Sequence, residues 1–343
     1  MARKVLEANE RVKRDFLEYR KFAGRLSERS LDKEIAALER FDVWNGRKDF
    51  RRFHIEQAMG FCKHLETATN PKTRKVLSKS TINGILSALR AFILWLSQRE
   101  GYRKRIRPKD ADYFNISRRD AAGLKAPSTK RAPSATQARH VLSLMPSATD
   151  IQKRDRAIVA LLCLAAVRVT ALSTLRLKHI DLGEMCVVQD PREVVTKFGN
   201  QTTSYFVSGF EEAETVLIDW LQHQRTILLR DDDDPLFPKT EMGVGEAGGF
   251  EAKGMDRDFW KTASPVRGII KAALERAKLP NYGPHAFRHM HIRDAEKKAT
   301  TIEEFRAYSQ NLGHASLLTT LGSYGGTISK QRQKELIRGG PEI

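Results

Sequence analysis

Six residues are of types that suit chemistry on an oxyanion: Arg168, Lys197, His285, Arg288, His314 and Tyr324. Arginine is the side chain for the anion itself, because its planar fork can hold two oxygens at once and it stays ionised. His285 and Arg288 belong to the run His285-Ala-Phe-Arg288-His289. Three residues apart, they fall on one face of a helix and can converge on one group. Lysine and histidine are residue types that move protons, and a tyrosine hydroxyl is a nucleophile once its proton is taken. Breaking a phosphodiester needs these components together: a nucleophile, cations for the non-bridging oxygens, and a proton for the departing oxygen.

The elements that must position these residues can be read from apolar spacing. Arg168 follows a long apolar run, expected as a buried helix from Asp150 to Ala166, and a further helix is expected to about Arg176. Lys197 falls where the period changes. Glu184–Gln189, Glu193–Lys197 and Thr203–Val207 are short, rich in Val and Thr, and separated by turn residues, which predicts a small antiparallel sheet. Helices are expected again at Glu212–Leu228 and Ser264–Ala277, and the remainder reads as helical with short breaks. Ser134-Ala-Thr-Gln opens this second region with a helix-capping signature. Before it, amphipathic helices are expected at Glu7–Phe22, Ser30–Phe41, Ile55–Leu65 and Thr81–Gln98, the last with Ser80 as its cap. From Gly101 to Pro133 the chain reads as a basic, partly extended linker.

Composition bounds the possibilities. The 343 residues suffice for two domains, and 41% hydrophobic and 30% charged residues with a mean hydropathy of −0.48 place the chain among soluble globular proteins. The longest apolar stretch, Ala157–Val167, is well short of the roughly 20 residues a membrane span needs, and the first residues carry no secretory signal pattern. A cytoplasmic location is expected, with no membrane partner. Three cysteines, Cys62, Cys163 and Cys186, lie far apart, as reduced core thiols do. The net charge of +18 is unevenly spread: residues 1–130 hold 31 basic and 16 acidic residues, against 29 and 26 in the rest. A localised excess of that size points to a polyanion, for which nucleic acid is the usual candidate.

Three other patterns lead nowhere. Gly243-Val-Gly245-Glu-Ala-Gly248 fits a dinucleotide fingerprint, but no apolar strand is expected before it and no helix after it. It falls in a Gly-rich, acidic stretch, Asp231–Asp258, expected as a flexible surface excursion. Asp231–Asp234 lacks the alternating ligands of a calcium loop, and His289 with His291 lacks a third metal ligand at a recognisable spacing. No metal and no cofactor are expected.

In order, spacing and setting, Arg168, Lys197, His285-Ala-Phe-Arg288-His289, Leu312-Gly313-His314 and Tyr324 resemble the tyrosine recombinase or phage integrase family. The resemblance covers nearly the whole chain, since the 81–98 helix and the basic linker are similar to that family's N-terminal DNA-binding domain. It implies a mainly α fold with a small antiparallel β-sheet. Residues 1–125 would form a helical core-binding (SAM-like) domain, 126–133 a basic linker, and 134–343 an α+β catalytic domain with a C-terminal tail from about residue 325. It implies further that Arg168 and Arg288 clamp one DNA phosphate, that His285 assists proton transfer from the nucleophile, and that Lys197 is the general acid for the leaving 5' oxygen. His314 would donate a hydrogen bond to the phosphate, and Tyr324 would form a 3'-phosphotyrosyl bond that keeps the energy of the broken diester, so that rejoining needs neither metal nor ATP. Of the seven tyrosines only Tyr324 follows Leu312-Gly313-His314 and Thr319-Thr320 at the family's distance. The expected partners are double-stranded DNA and three further copies of the chain, as a homo-tetramer on two DNA sites in the nucleoid. An accessory DNA-bending protein and a docking helix at Ile328–Arg338 belong to the same expectation.

The chain departs from the family at one point: Arg168-Val-Thr-Ala171 lacks the acidic residue commonly found three positions after the first arginine. That departure leaves room for a non-cutting DNA-binding protein of the same fold, and a type IB topoisomerase shares the same chemistry.

Overall fold

The computed structural model describes residues 6–125, 131–196, 199–245, 248–314 and 316–323, together with 333 and 337. Lys197, Tyr324, residues 126–130 of the expected linker and nearly all of the expected docking helix lie outside the described residues. The chain divides into two units, Met1–Ala126 and Pro127–Ile343.

The first unit is helical: α1 (Glu7–Phe22), α2 (Glu28–Trp44), α3 (Ile55–Thr67), α4 (Lys79–Leu96) and α5 (Arg118–Lys125). Its core is aromatic. Phe16, Phe41, Phe50, Phe61, Phe92 and Phe114 are all buried, and they meet mostly edge-to-face, as Phe41 and Phe61 do with centroids 5.1 Å apart. The α4 stripe packs into this cluster as its spacing predicts, but the helix begins two residues earlier than expected. Ser78, not Ser80, accepts from the Thr81 N–H and caps it. The stretch expected to be a linker also differs. Ile106, Ala111 and Phe114 are buried in the aromatic core, a 3-10 turn covers Pro108–Tyr113, and α5 follows. Three apolar side chains in a basic run suffice to fold it onto the unit while Arg103, Lys104 and Arg105 stay outside.

The second unit opens with α6 (Ala135–Ser143), whose Ser134–Gln137 capping box is in place. Then come α7 (Asp150–Ala165), the short α8 (Val169–Leu172) and a three-stranded antiparallel sheet ordered β1-β2-β3. These strands are β1 (Ile180–Asp181), β2 (Cys186–Gln189) and β3 (Thr202–Tyr205), with Ile180 opposite Val187 and Cys186 opposite Tyr205. The expected strand at 193–197 is replaced by β1. Described residues 193–196 form a loop instead, where the Asp190 carbonyl accepts from the Glu193 and Val194 N–H groups and Thr174 Oγ1 accepts from Val195 N–H.

After α9 (Glu211–Thr226), the expected excursion contains a regular hairpin, β4 (Thr240–Val244) with β5 (Phe250–Met255). Cross-strand pairs such as Val244–Phe250 organise it, and glycines and acidic residues obscure its alternation in the sequence. Four more helices follow, α10 (Ser264–Arg276), α11 (His285–Lys298), α12 (Ile302–Asn311) and α13 (Leu317–Ser323). The core here is aliphatic and centres on α7, which is buried without a break from Ala157 to Ala165. Mainly helical with small antiparallel sheets, the fold is the one expected. No helix among the described residues is long and apolar enough to cross a membrane.

Candidate active site

The site is built at a corner where α7 ends. Ala166 takes a left-handed conformation (φ 46°, ψ 39°), its N–H donates to the Leu162 carbonyl, and the chain turns out of the core. An alanine in this region costs about 1–2 kcal/mol, so tertiary contacts must hold it there. Arg168 follows as the extended N-cap residue of α8, half-buried.

Arg288, on α11, is one of those tertiary contacts. It is 3% exposed, and its Nη1 donates to the Ala166 carbonyl at 2.9 Å. Its Nη2 donates to the Leu312 carbonyl at the end of α12 and lies 3.2 Å from His314 Nε2. One guanidinium therefore joins the ends of α7 and α12 and meets the imidazole. Ala166, Ile292 and Leu312 pack together beneath it, with Phe305 at their edge.

Leu312-Gly313-His314 forms the opposite side. Gly313 is left-handed (φ +67°), and a Cβ there would stand 3.0 Å from the Thr202 side chain of β3 and 3.6 Å from Arg168 Nη1. Glycine is thus required twice over, and the Arg168 guanidinium reaches the same corner as Arg288 and His314. β3 is tied to α12 by three hydrogen bonds: Asn311 Oδ1 accepts from the Tyr205 N–H, Asn311 Nδ2 donates to the Tyr205 carbonyl, and Ser204 Oγ donates to the Asn311 carbonyl. The sheet that flanks Lys197 in the sequence is thereby fastened to the site. His314 Nδ1 lies 2.7 Å from the hydroxyl of Thr320 on α13, the helix that immediately precedes Tyr324.

His285 starts α11 and is exposed, one turn before Arg288. Its ring meets His289 edge-on, with centroids 5.4 Å apart. Below them His291 is buried against the backbone of Cys163 and Leu162. Burial, reinforced by the nearby Arg288 charge, pushes its imidazole down to about 4. His291 is a neutral packing residue where α11 lies against α7.

The structure thus brings Arg168, Arg288 and His314 to one corner, with His285 on the same helix as Arg288; Lys197 and Tyr324 lie outside the described residues. Ala171 is buried in the aliphatic core, so the position of the family's acidic residue carries a packing methyl. Sequence reasoning missed Ala166, Ser309 and Thr320. Ser309 shares a helix stripe with Phe305 and Leu312, and Thr320 is buried; a hydroxyl on an apolar stripe is the signal that could have found them.

Residues 135–326 match the model of the phage integrase family. The chain belongs to the phage integrase family. It is therefore a tyrosine recombinase, an enzyme of site-specific DNA recombination. Relatives in this family include tyrosine recombinase XerC of Alcanivorax borkumensis, 29% identical over 252 residues (72% of this chain and 69% of that protein). XerC of Xanthomonas axonopodis pv. citri is 24% identical over 319 residues, 89% of each chain. Among solved structures, XerH recombinase bound to palindromic difH after cleavage has a TM-score of 0.63 at 17% identity, covering 90% of this chain and 78% of that one. The Tn1549 transposon integrase with circular-intermediate DNA has a TM-score of 0.59 at 13% identity, covering 95% and 98%. These structures share the fold of this family member.

Proposed function

We propose that the chain cuts and rejoins double-stranded DNA at specific sites through a 3'-phosphotyrosyl intermediate on Tyr324. The observation that carries this reading is the meeting of Arg168, Arg288 and His314 at one corner. Two guanidinium groups and an imidazole there form a clamp for the non-bridging oxygens of one phosphate. In the proposed step Tyr324 Oη attacks phosphorus, its proton passing toward His285. The bond from phosphorus to the 5' oxygen breaks, and Lys197 protonates that oxygen. The phosphate stays on the tyrosine as an ester until a 5' hydroxyl of another strand attacks it and frees the phenol. One phosphoester is exchanged for another in each half, so no ATP is consumed. The arginines supply the positive charge, so the reaction proposed here uses no metal.

DNA as the partner is supported by the basic balance of residues 1–130 and by the DNA-bound XerH and Tn1549 integrase structures that share the fold. Residues 1–125 are assigned to DNA binding and 134–343 to catalysis. Exchange between two sites requires four strand cuts, which assigns a homo-tetramer, with 328–338 as the docking segment and room for a DNA-bending accessory protein. The proposed setting is the nucleoid, in the cytoplasm.

The test is trapping in EDTA on flanking DNA nicked near the cleavage position, beside an assay of exchange between two sites on one plasmid. A covalent adduct together with site exchange is expected. Supercoil relaxation without exchange would replace this reading by a topoisomerase, and binding without adduct by a non-cutting DNA-binding protein.

A further inference from the structure

We infer that Ser309, Thr320 and His314 form a hydroxyl relay that decides which ring nitrogen of His314 carries the proton, making Thr320 and Ser309 positioning residues for that imidazole. The inference rests on the reading of His314 as a hydrogen-bond donor to phosphate. It begins from what each group can do. Guanidinium nitrogens only donate, so His314 Nε2, 3.2 Å from Arg288 Nη2, is the acceptor of that contact. A neutral ring then keeps its proton on Nδ1, where it is donated to Thr320 Oγ1 at 2.7 Å. Thr320 in turn stands 2.5 Å from Ser309 Oγ, and with Nδ1–H donating to it, its own hydroxyl proton is free to donate to Ser309. In this state Nε2 has no proton to offer a phosphate.

Hydroxyls can act in either direction. With Ser309 donating to Thr320 and Thr320 donating to Nδ1, the same heavy atoms hold the other tautomer, with the proton on Nε2. Interconversion moves one proton from Nδ1 to Nε2 through water and turns two hydroxyls; no net charge is created. A bound phosphate favours the second state, because it draws the Arg288 N–H groups to itself and accepts from Nε2. Ser309 and Thr320 are 1% and 0% exposed, so bulk water does not compete for either hydroxyl. A valine at 320 would keep the shape and leave Nδ1 without this hydroxyl in both states.

The test uses the full chain with ¹⁵N-labelled histidine at neutral pH, the His314 signals being identified by their loss in His314→Gln. Without DNA the parent should carry its proton on Nδ1, and Thr320→Val should lower the share of that tautomer. On nicked DNA, Thr320→Val should slow covalent-adduct formation by about tenfold or more, below the roughly hundred- to thousandfold loss of a whole oxyanion donor. DNA affinity should stay unchanged, and Thr320→Ser should restore both tautomer and rate. Ser309→Ala should shift the tautomer less, and it carries the test should Thr320→Val lose its helical circular dichroism signal. A parent ring protonated on Nε2 without DNA, or parent tautomer and rate in the folded variants, would overturn the relay. A parent that forms no adduct while its tautomer shifts in Thr320→Val would sink the recombinase reading and leave the relay standing.

Discussion

Two buried cations, Lys13 in the first unit and Arg288 in the second, are held in different ways. In the first unit Lys13, 6% exposed, is closed in by carboxylates: Asp42 at 3.1 Å, Glu39 at 2.9 Å and Glu10 at 2.6 Å. Asn9 adds a hydrogen bond to Asp42 and one to the Lys48 carbonyl, so opposite charge joins α1 to α2 and a hydrogen bond adds the loop after α2. In the second unit the described acceptors of Arg288 are two backbone carbonyls and an imidazole. Carboxylates cancel a cation while they fix it; carbonyl dipoles orient a cation without adding a negative charge beside it. The first arrangement fastens helices, and the second prepares a place for an anion.

That contrast can be broken at its strongest point by replacing Arg288. Arg288→Ala should lower adduct formation by about a hundred- to a thousandfold, the cost of one missing oxyanion donor. Arg288→Lys should recover little of it, because an ammonium cannot span Ala166 and Leu312 as the guanidinium fork does. Single-turnover cleavage on nicked DNA measures both. On the other side of the comparison, Asp42→Asn should destabilise the protein by about 3 kcal/mol, since it removes one partner of a buried pair. Denaturant unfolding followed by helical circular dichroism checks this, and cleavage by the fraction that remains folded should be normal.

His291 sharpens the comparison because it is buried beside the site in neutral form. Its pKa in the folded chain, about 4, lies below the ordinary value of 6.5, so the unfolded chain takes up its proton first as pH falls. The stabilisation is full above pH 6.5 and is lost progressively down to pH 4, an effect of roughly 3 kcal/mol. Melting temperatures recorded between pH 7.5 and 4.5 should fall, and His291→Phe should flatten the slope. The smallest effect is expected at Gly313. Gly313→Ala forces a left-handed alanine and crowds Thr202, costing about 1–2 kcal/mol. It should also slow cleavage by displacing Arg168, visible as a lower rate at saturating DNA.

Much of this was legible beforehand. The apolar stripes of α1 to α4 and α7 predict their helices, and the Ser134–Gln137 box predicts the start of α6. Arg168, Arg288 and His314 could be picked out because their order and spacing resemble those of the family. What escaped depends on long-range contacts. Ala166 is left-handed at a corner that α11 and α12 pack around, and no local signal marks an alanine for that conformation. The segment at 193–196 has strand-like residues, yet its backbone is claimed by Asp190 and Thr174. Glycine and acidic residues hid the alternation of β4 and β5, and three apolar side chains turned an expected linker into part of a core.

The most direct test of the central claim is to identify the residue that holds the DNA. The trapped adduct would be digested with protease and nuclease, and the nucleotide-bearing peptide sequenced by mass spectrometry. The account predicts a single modified peptide with the phosphonucleotide on Tyr324, absent from Tyr324→Phe. A nucleotide on Tyr308, Tyr205 or any other side chain, or an adduct that survives in Tyr324→Phe, would contradict it.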